Sequence, residues 1–477
     1  MNDIAVQPNF FDRTLVQVRR ALREIATRRG LPSLDLRPDL PESDQELLLQ
    51  QMQDCLIGRG GEVTARARAA NLGRAYMGLN TEGRRRFLAL LATKFDTNHE
   101  AVDAAIAVVT AAETPEERKA AEAKLRDTLT APRVRLLTQF NGLAEGVKFL
   151  VDLRAELLTF AKNEPALEDL QEDLRRLLAS WFDVGFLELR RITWEAPAAL
   201  LEKLIAYEAV HAIRGWDDLK NRLDSDRRCY AFFHPRMPDE PLIFVEIALV
   251  NGIADNVQKL LDEEQERLSP ENSDTAIFYS ISNAQRGLDG ISFGDFLIKR
   301  VVADLSAEFK NLKTFATLSP IPGFARWYAK ELEELGPALL LADERTALET
   351  ALDGEADVDE LLKTLLANDD WSKVPELEAA LKPALLRIAS TYLYSVKRGI
   401  RAMDPVAHFH LSNGARMERL NWLADTSSRG MHQAAGLMIN YLYKLDEIDG
   451  NHEGYTGEGA IAVSSSIRNL SRKTANS

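Results

Sequence analysis

AIFYSISNAQRGLDGISFGDFLIKRVVADLSAEF, residues 276–309, changes its period twice, and those changes set the fold. Ala276–Ile281 is a short apolar run of the kind that makes a buried strand. Gln285-Arg286-Gly287-Leu288-Asp289-Gly290 breaks the pattern, because glycine admits backbone conformations that other residues avoid. From Phe293 to Phe309 the apolar positions recur at helical spacing. Strand, glycine loop, helix is an order that builds an anion site: loop amides face a common space, and the helix N-terminus adds partial positive charge. Lys299 and Arg300, farther down the same helix, could assist. Taken alone, the loop also suits a tight turn with no ligand. It is neither a Gly-Lys-Ser/Thr nucleotide loop nor a dinucleotide G-x-G-x-x-G.

Outward from this stretch, Arg228–Phe233 and Pro241–Leu249 read as two more strands, with His234-Pro235 and Met237-Pro238 as a hairpin-like connection. From Phe10 to about Trp181 the pattern is helical almost throughout. Leu15, Val18, Leu22 and Ile25 share one face, and Leu167, Leu170, Leu174, Leu178 and Trp181 form a second stripe. Thr114-Pro115-Glu116-Glu117 is a compact helix start. No catalytic constellation lies in this half, which reads as a packing and oligomerisation domain. Leucine- and glutamate-rich sequence returns from Ala329 to about Ser390, with a break at Leu352-Asp353-Gly354. The tail after Asp449 reads as irregular. The expected fold is therefore α + α/β: an all-helical domain over 1–185, then a mixed α/β domain over 186–477 with a helical insertion at about 330–390.

The chain has 477 residues, and 73 acidic against 59 basic side chains leave a formal charge of −14. Nucleic acid is excluded as a main partner, since phosphate binding needs a basic footprint. A local basic pocket could still take an anionic small ligand. No run approaches the ~18 apolar residues of a membrane span. The N-terminus reads as the entry to an amphipathic helix, not as a signal peptide. Cys55 and Cys229 are too few for a disulfide framework or a zinc site, and read as ordinary thiols in a reducing compartment.

Two later segments carry candidate chemistry. In Leu318-Ser319-Pro320-Ile321-Pro322-Gly323-Phe324 the prolines stiffen the turn that presents Ser319. A preset hydroxyl suits catalysis because it needs no reorganisation at the transition state. A turn serine bonded to its own backbone is the bland alternative. In Asp404–Tyr443, His408 and His410 alternate along a run that, if extended, puts both on one face. No third ligand of suitable spacing and no H-E-x-x-H accompany them, so no metal site is expected. A helix-like apolar pattern carrying Tyr441 and Tyr443 closes the segment; aromatics so placed are usually core.

These segments resemble, in order and in wording, the malonyl-CoA decarboxylase family. The resemblance runs through Thr193–Glu202, Tyr207–His211, Arg227–Pro235, Phe278–Ser282, the glycine loop, Phe296–Lys299, LSPIPGF and FHLSNGA, covering most of 190–460. It implies a catalytic domain related to the N-acetyltransferase (GNAT) superfamily and decarboxylation of malonyl-CoA to acetyl-CoA and CO2. That reaction sets the malonyl-CoA/acetyl-CoA balance in fatty-acid metabolism. It also implies Ser319 and His410 as catalytic residues and Tyr443 lining the site. The coenzyme loop corresponds to Asp289, Gly290, Ile291, Ser292, Phe293, Gly294 and Asp295. Two departures stand out: the glycine spacing differs from the acetyltransferases' Q-x-x-G-x-G, and Ser292 stands where some relatives carry glutamate.

No cofactor is needed, since coenzyme A enters as part of the substrate and the thioester carbonyl accepts the electrons of the broken C–C bond. His410 is expected to protonate the α-carbon, with a pKa suited to neutral pH. Ser319 is expected to hydrogen-bond the malonyl carboxylate or the thioester oxygen; the family reading makes it the proton-accepting partner. A homo-oligomer assembled through the helical domain is expected. The tail lacks a Ser-Lys-Leu address, which agrees with a cytoplasmic, bacterial-type form. An acyl-CoA-dependent acyltransferase and a non-catalytic acyl-CoA-binding scaffold are the alternatives. Hydrolysis is weaker, because no G-x-S-x-G elbow surrounds Ser319.

Overall fold

The computed structural model describes residues 18–22, 24, 34–57, 61–291, 296–354 and 357–472. Leu15, Ile25, Ser292, Phe293, Gly294 and Asp295 lie outside the described residues. The chain divides into two compact units. The first comprises 1–188 together with 233–242 and 283–293, and the second comprises 189–232, 243–282 and 294–477.

The first unit is built of helices, among them Gly61–Gly78, Thr81–Lys94, Gly146–Phe160 and Glu168–Trp181. Among its described residues no strand precedes Glu188. Leu170, Leu174 and Leu178 are fully buried along one face of the last helix, each stabilising the unit by about 1.5–3 kcal/mol. Thr114 and Glu117 cap the helix Pro115–Thr128 reciprocally, as their spacing predicts. Tyr76 packs edge-on against Phe87 and Phe149, and Phe149 stacks on Phe140.

The second unit carries the sheet. Its strands are β1 (Glu188–Ile192), β2 (Arg227–Phe233), β3 (Ile243–Val250), β4 (Thr275–Asn283), β5 (Thr314–Thr317), β8 (Arg416–Asn421) and β9 (Met438–Leu442). A separate two-residue ribbon pairs β6 (Lys397–Arg398) with β7 (Arg401–Ala402). The main sheet runs β1-β2-β3-β4-β5-β9-β8. The β2 and β3 strands are antiparallel, as their hairpin-like connection predicts. The β4 and β5 strands are parallel from Thr275↔Thr314 to Phe278↔Thr317, joined by the helix Phe296–Glu308. The β9 strand then runs antiparallel to β5 at Ala316↔Leu442. Ile277, Tyr279, Ala316, Leu318, Met438 and Leu442 belong to one buried cluster beneath these central strands.

Helices Phe324–Leu335, Ala342–Leu352, Val358–Thr364 and Pro375–Ser395 follow β5. The break near 352 falls at Asp353 and Gly354, both left-handed (φ 47° and 73°).

Three local expectations are corrected. Pro405–Ser412 is a helix, not an extended run: Asp404 caps it and Pro405 opens it, a start signal that outweighs two alternating histidines. Met438–Leu442 is a fully buried strand where the pattern looked helix-like, since so short an apolar run fits either period. The tail is not irregular, because Ile448–Glu458 and Ser465–Ser471 are helical. Tyr455 and Ile467 bury apolar surface there.

Candidate active site

Ser319 leaves the end of β5 and is fixed on both sides of its backbone. Its N–H donates to Ile439 O (2.8 Å), and its carbonyl accepts from Ile439 N (2.9 Å). Ile321, fully buried, anchors the proline turn that follows. The helix Pro405–Ser412 brings His410 to this hydroxyl, with Ser319 Oγ 3.1 Å from His410 Nε2. On the other side of the ring, Tyr443 OH lies 2.8 Å from His410 Nδ1. Three residues distant in sequence thus form one hydrogen-bonded chain. Its members are only 5%, 2% and 2% exposed, in the order Ser319, His410, Tyr443.

Residues two apart on a helix point about 200° from one another, so His408 and His410 do not share a face. His408 Nδ1 bonds Tyr455 OH (2.8 Å) and takes no part in the chain. Tyr441 stacks on the His410 ring, with centroids 4.5 Å apart and planes at 25°. Burial without a charged partner drives the His410 pKa down to about 3. The ring is therefore neutral at physiological pH, which corrects the expectation of a titration near neutrality.

Sequence reading missed two supporting residues. Thr317, fully buried, accepts from Ser319 Oγ (2.8 Å) and from Tyr441 N (3.2 Å). It stands two positions before Ser319 on a strand, so the period-2 rule carried the signal. Asp404 accepts from Val406 N and Ala407 N with one oxygen and from Gly323 N (2.9 Å) with the other. One carboxylate therefore fastens the serine turn to the histidine helix; the Asp-Pro helix start was its trace in the sequence. Asn440 further locks β5 to β9 by donating to Thr317 O (2.7 Å).

A cleft of about 940 Å³ elsewhere in this unit is lined by His211, Asp218, Arg222, Gln258, Asp425 and Arg429 among others. Arg222 is neutralised there by Asp218 and Glu246.

The glycine loop belongs to the helical unit. Its two glycines do different things. A Cβ on Gly287 would lie 1.8 Å from Val151 O, so this glycine permits close packing on the helix Gly146–Phe160. Arg154 Nη1 donates to Gly287 O (2.6 Å) at the same contact. Gly290 is left-handed (φ 74°) with open space where a Cβ would be. The amides of Leu288, Asp289 and Ile291 are taken by Gln285 O, Arg286 O and Leu288 O. Among the described residues no group of three or more potential metal ligands occurs, and no helix is long and apolar enough to cross a membrane.

Comparison with known proteins agrees along the chain. The malonyl-CoA decarboxylase N-terminal domain matches residues 95–182, and the malonyl-CoA decarboxylase C-terminal domain matches 185–477. Mitochondrial malonyl-CoA decarboxylase of Anser anser anser is 39% identical over 421 residues, 84% of this chain and 83% of the relative. The Rattus norvegicus enzyme is 40% identical over 73% of each chain. The crystal structure of malonyl-CoA decarboxylase from Rhodopseudomonas palustris superposes with a TM-score of 0.81 at 41% identity, over 89% of this chain and 99% of that one. The Agrobacterium vitis structure gives 0.79 at 39%, over 89% and 100%. With both domains matched in chain order and the fold shared with solved members, this chain belongs to the malonyl-CoA decarboxylase family.

Proposed function

We propose that this chain converts malonyl-CoA to acetyl-CoA and CO2, with Ser319, His410 and Tyr443 as its proton-delivery chain. The observation that carries the reading is the buried contact of Ser319 with His410, backed by Tyr443. Loss of CO2 leaves the electron pair of the broken C–C bond on the thioester as an enolate, and its carbon must take one proton. A histidine with so low a pKa does not wait as a cation. It relays by exchanging tautomers. The Ser319 O–H passes its proton to the α-carbon, the His410 Nε2–H passes to Ser319 Oγ, and the Tyr443 O–H passes to Nδ1. Ser319 and His410 end neutral, the ring in its other tautomer and Tyr443 as phenolate; once acetyl-CoA leaves, a proton taken up from solvent at Ser319 Oγ sends the chain back, Ser319 O–H to Nε2 and Nδ1–H to Tyr443, which restores the starting state. The net balance is one proton consumed per CO2 released. Burial also strengthens each of these contacts.

The pyrophosphate of the coenzyme is assigned to the loop Asp289–Asp295. In its described part the Asp289 and Ile291 amides are already bonded, which leaves Gly290 and residues 292–295 as the donors to test. No resident cofactor enters this scheme. Self-association through the helical half and a cytoplasmic setting complete the reading.

The test is incubation of the purified chain with malonyl-CoA and no acyl acceptor. Acetyl-CoA and CO2 should form in equal amounts. Product that appears only when an amine is supplied would make it an acyltransferase, and binding without turnover would make it a scaffold.

A further inference from the structure

We infer that Thr317 is a positioning residue that sets the direction of the proton chain, by holding the Ser319 hydroxyl proton and so keeping His410 as its Nε2–H tautomer. The inference rests on the relay reading above. Thr317 and Ser319 stand two apart at the end of β5, and Ser319 Oγ donates to Thr317 Oγ1 at 2.8 Å. Thr317 is fully buried. Its oxygen also accepts the Tyr441 N–H, and its carbonyl accepts from Asn440 Nδ2, so side chain and backbone are both held.

A serine hydroxyl has one proton. Given to Thr317, it is not available to His410 Nε2, yet the 3.1 Å contact between Ser319 Oγ and Nε2 needs a hydrogen. That hydrogen therefore belongs to the ring. A neutral imidazole carries a single N–H, so Nδ1 is bare and accepts the Tyr443 O–H across 2.8 Å. One acceptor on β5 thus orders three successive contacts, all running from Tyr443 towards Ser319. Without it, the nearest acceptor for the Ser319 proton is Nε2 itself. The chain would then run the other way, with Nδ1–H on Tyr443 and nothing behind Ser319 to replace a proton it gives up. Thr317 touches no reacting atom in this scheme and acts through Ser319 alone.

Nitrogen-15 NMR of the full chain labelled at histidine tests this, with His410→Asn identifying the His410 signals. Wild type and Thr317→Ser should carry the proton on Nε2, and Thr317→Val should carry it on Nδ1. In Thr317→Val, kcat should fall ~10²-fold, the usual worth of a positioned proton donor, while KM moves less than about threefold. Thr317→Ser should restore kcat. A wild-type proton on Nδ1, or an unchanged tautomer in Thr317→Val, overturns the inference; the wild-type spectrum decides it even where the valine variant does not fold. A tautomer that switches with no change in kcat would leave the hold of Thr317 standing and overturn the relay instead.

Discussion

Both ring nitrogens of His410 are occupied, one by Ser319 and one by Tyr443, and the ring is buried on every side, so its chemistry is that of a neutral imidazole. His410→Asn should lower kcat by ~10² or more with little change in substrate affinity, because its task arises after CO2 has left. Steady-state kinetics together with binding of a non-reacting thioester would check this. His408→Asn should be milder, since that ring is only half-buried and bonds Tyr455. The pKa also makes a stability claim. The folded value, about 3, lies below the ordinary 6.5. The unfolded chain therefore takes up the proton first as pH falls. Stability should be lost progressively below about 6.5 and be unaffected by this group above it. The denaturant midpoint of wild type should consequently fall more steeply between pH 6.5 and 4.5 than that of His410→Asn. His211, pushed down to about 4, is present in both and cancels. At this scale the sequence showed that a stiff turn presents Ser319, whereas the neutrality of His410 was hidden, because burial is a property of everything packed around a ring.

Among the elements, the meeting of the serine turn and the histidine helix depends on Asp404. Asp404→Ala would strand the N–H groups of Gly323, Val406 and Ala407. A lost cap and a buried orphan donor together should cost about 3 kcal/mol. Turnover should fall with the thermal midpoint, and Asp404→Asn should recover only part of either, because its one acceptor oxygen can serve the helix cap or the Gly323 N–H but not both. The glycine loop gives a paired prediction. Gly287→Ala drives a methyl into Val151 O and should destabilise the helical unit. Gly290→Val strains only an open left-handed turn and should act on coenzyme affinity while the fold persists. Calorimetry for coenzyme A and a thermal melt of each variant separate the two effects, and unchanged affinity in Gly290→Val would move the coenzyme site elsewhere. Signals that are long, such as the leucine stripe ending at Trp181, or bounded by turn residues, such as Arg228–Phe233, were legible. Those at 405–412 and 438–442 were not, because a few apolar positions satisfy both periods.

For the whole molecule, self-association is the property to measure. Ile106 and Val108 are about half exposed on the helix His99–Ala111, which makes that helix a surface to probe. Light scattering should give a multiple of 53.4 kDa. Ile106→Lys and Val108→Lys are made separately, because the two side chains point to opposite sides of the helix; one should reduce that multiple while sparing turnover per protomer, and an unchanged mass in both would place the interface elsewhere. The sequence by itself determined a helical first half, a glycine loop between a strand and a helix, a capped helix at Thr114 and a serine held by prolines. Each of these is a matter of residues within a few positions of one another, where backbone sterics and hydrophobic period act directly. Only the tertiary structure decided that Ser319, His410 and Tyr443 meet, that Asp404 fastens the serine turn to the histidine helix, and that the glycine loop clusters with the helical unit. The first two follow from the pairing of β5 with β9 and the docking of one capped helix. Those contacts join segments about a hundred residues apart, where the gain comes from surfaces that exist only once both segments are folded.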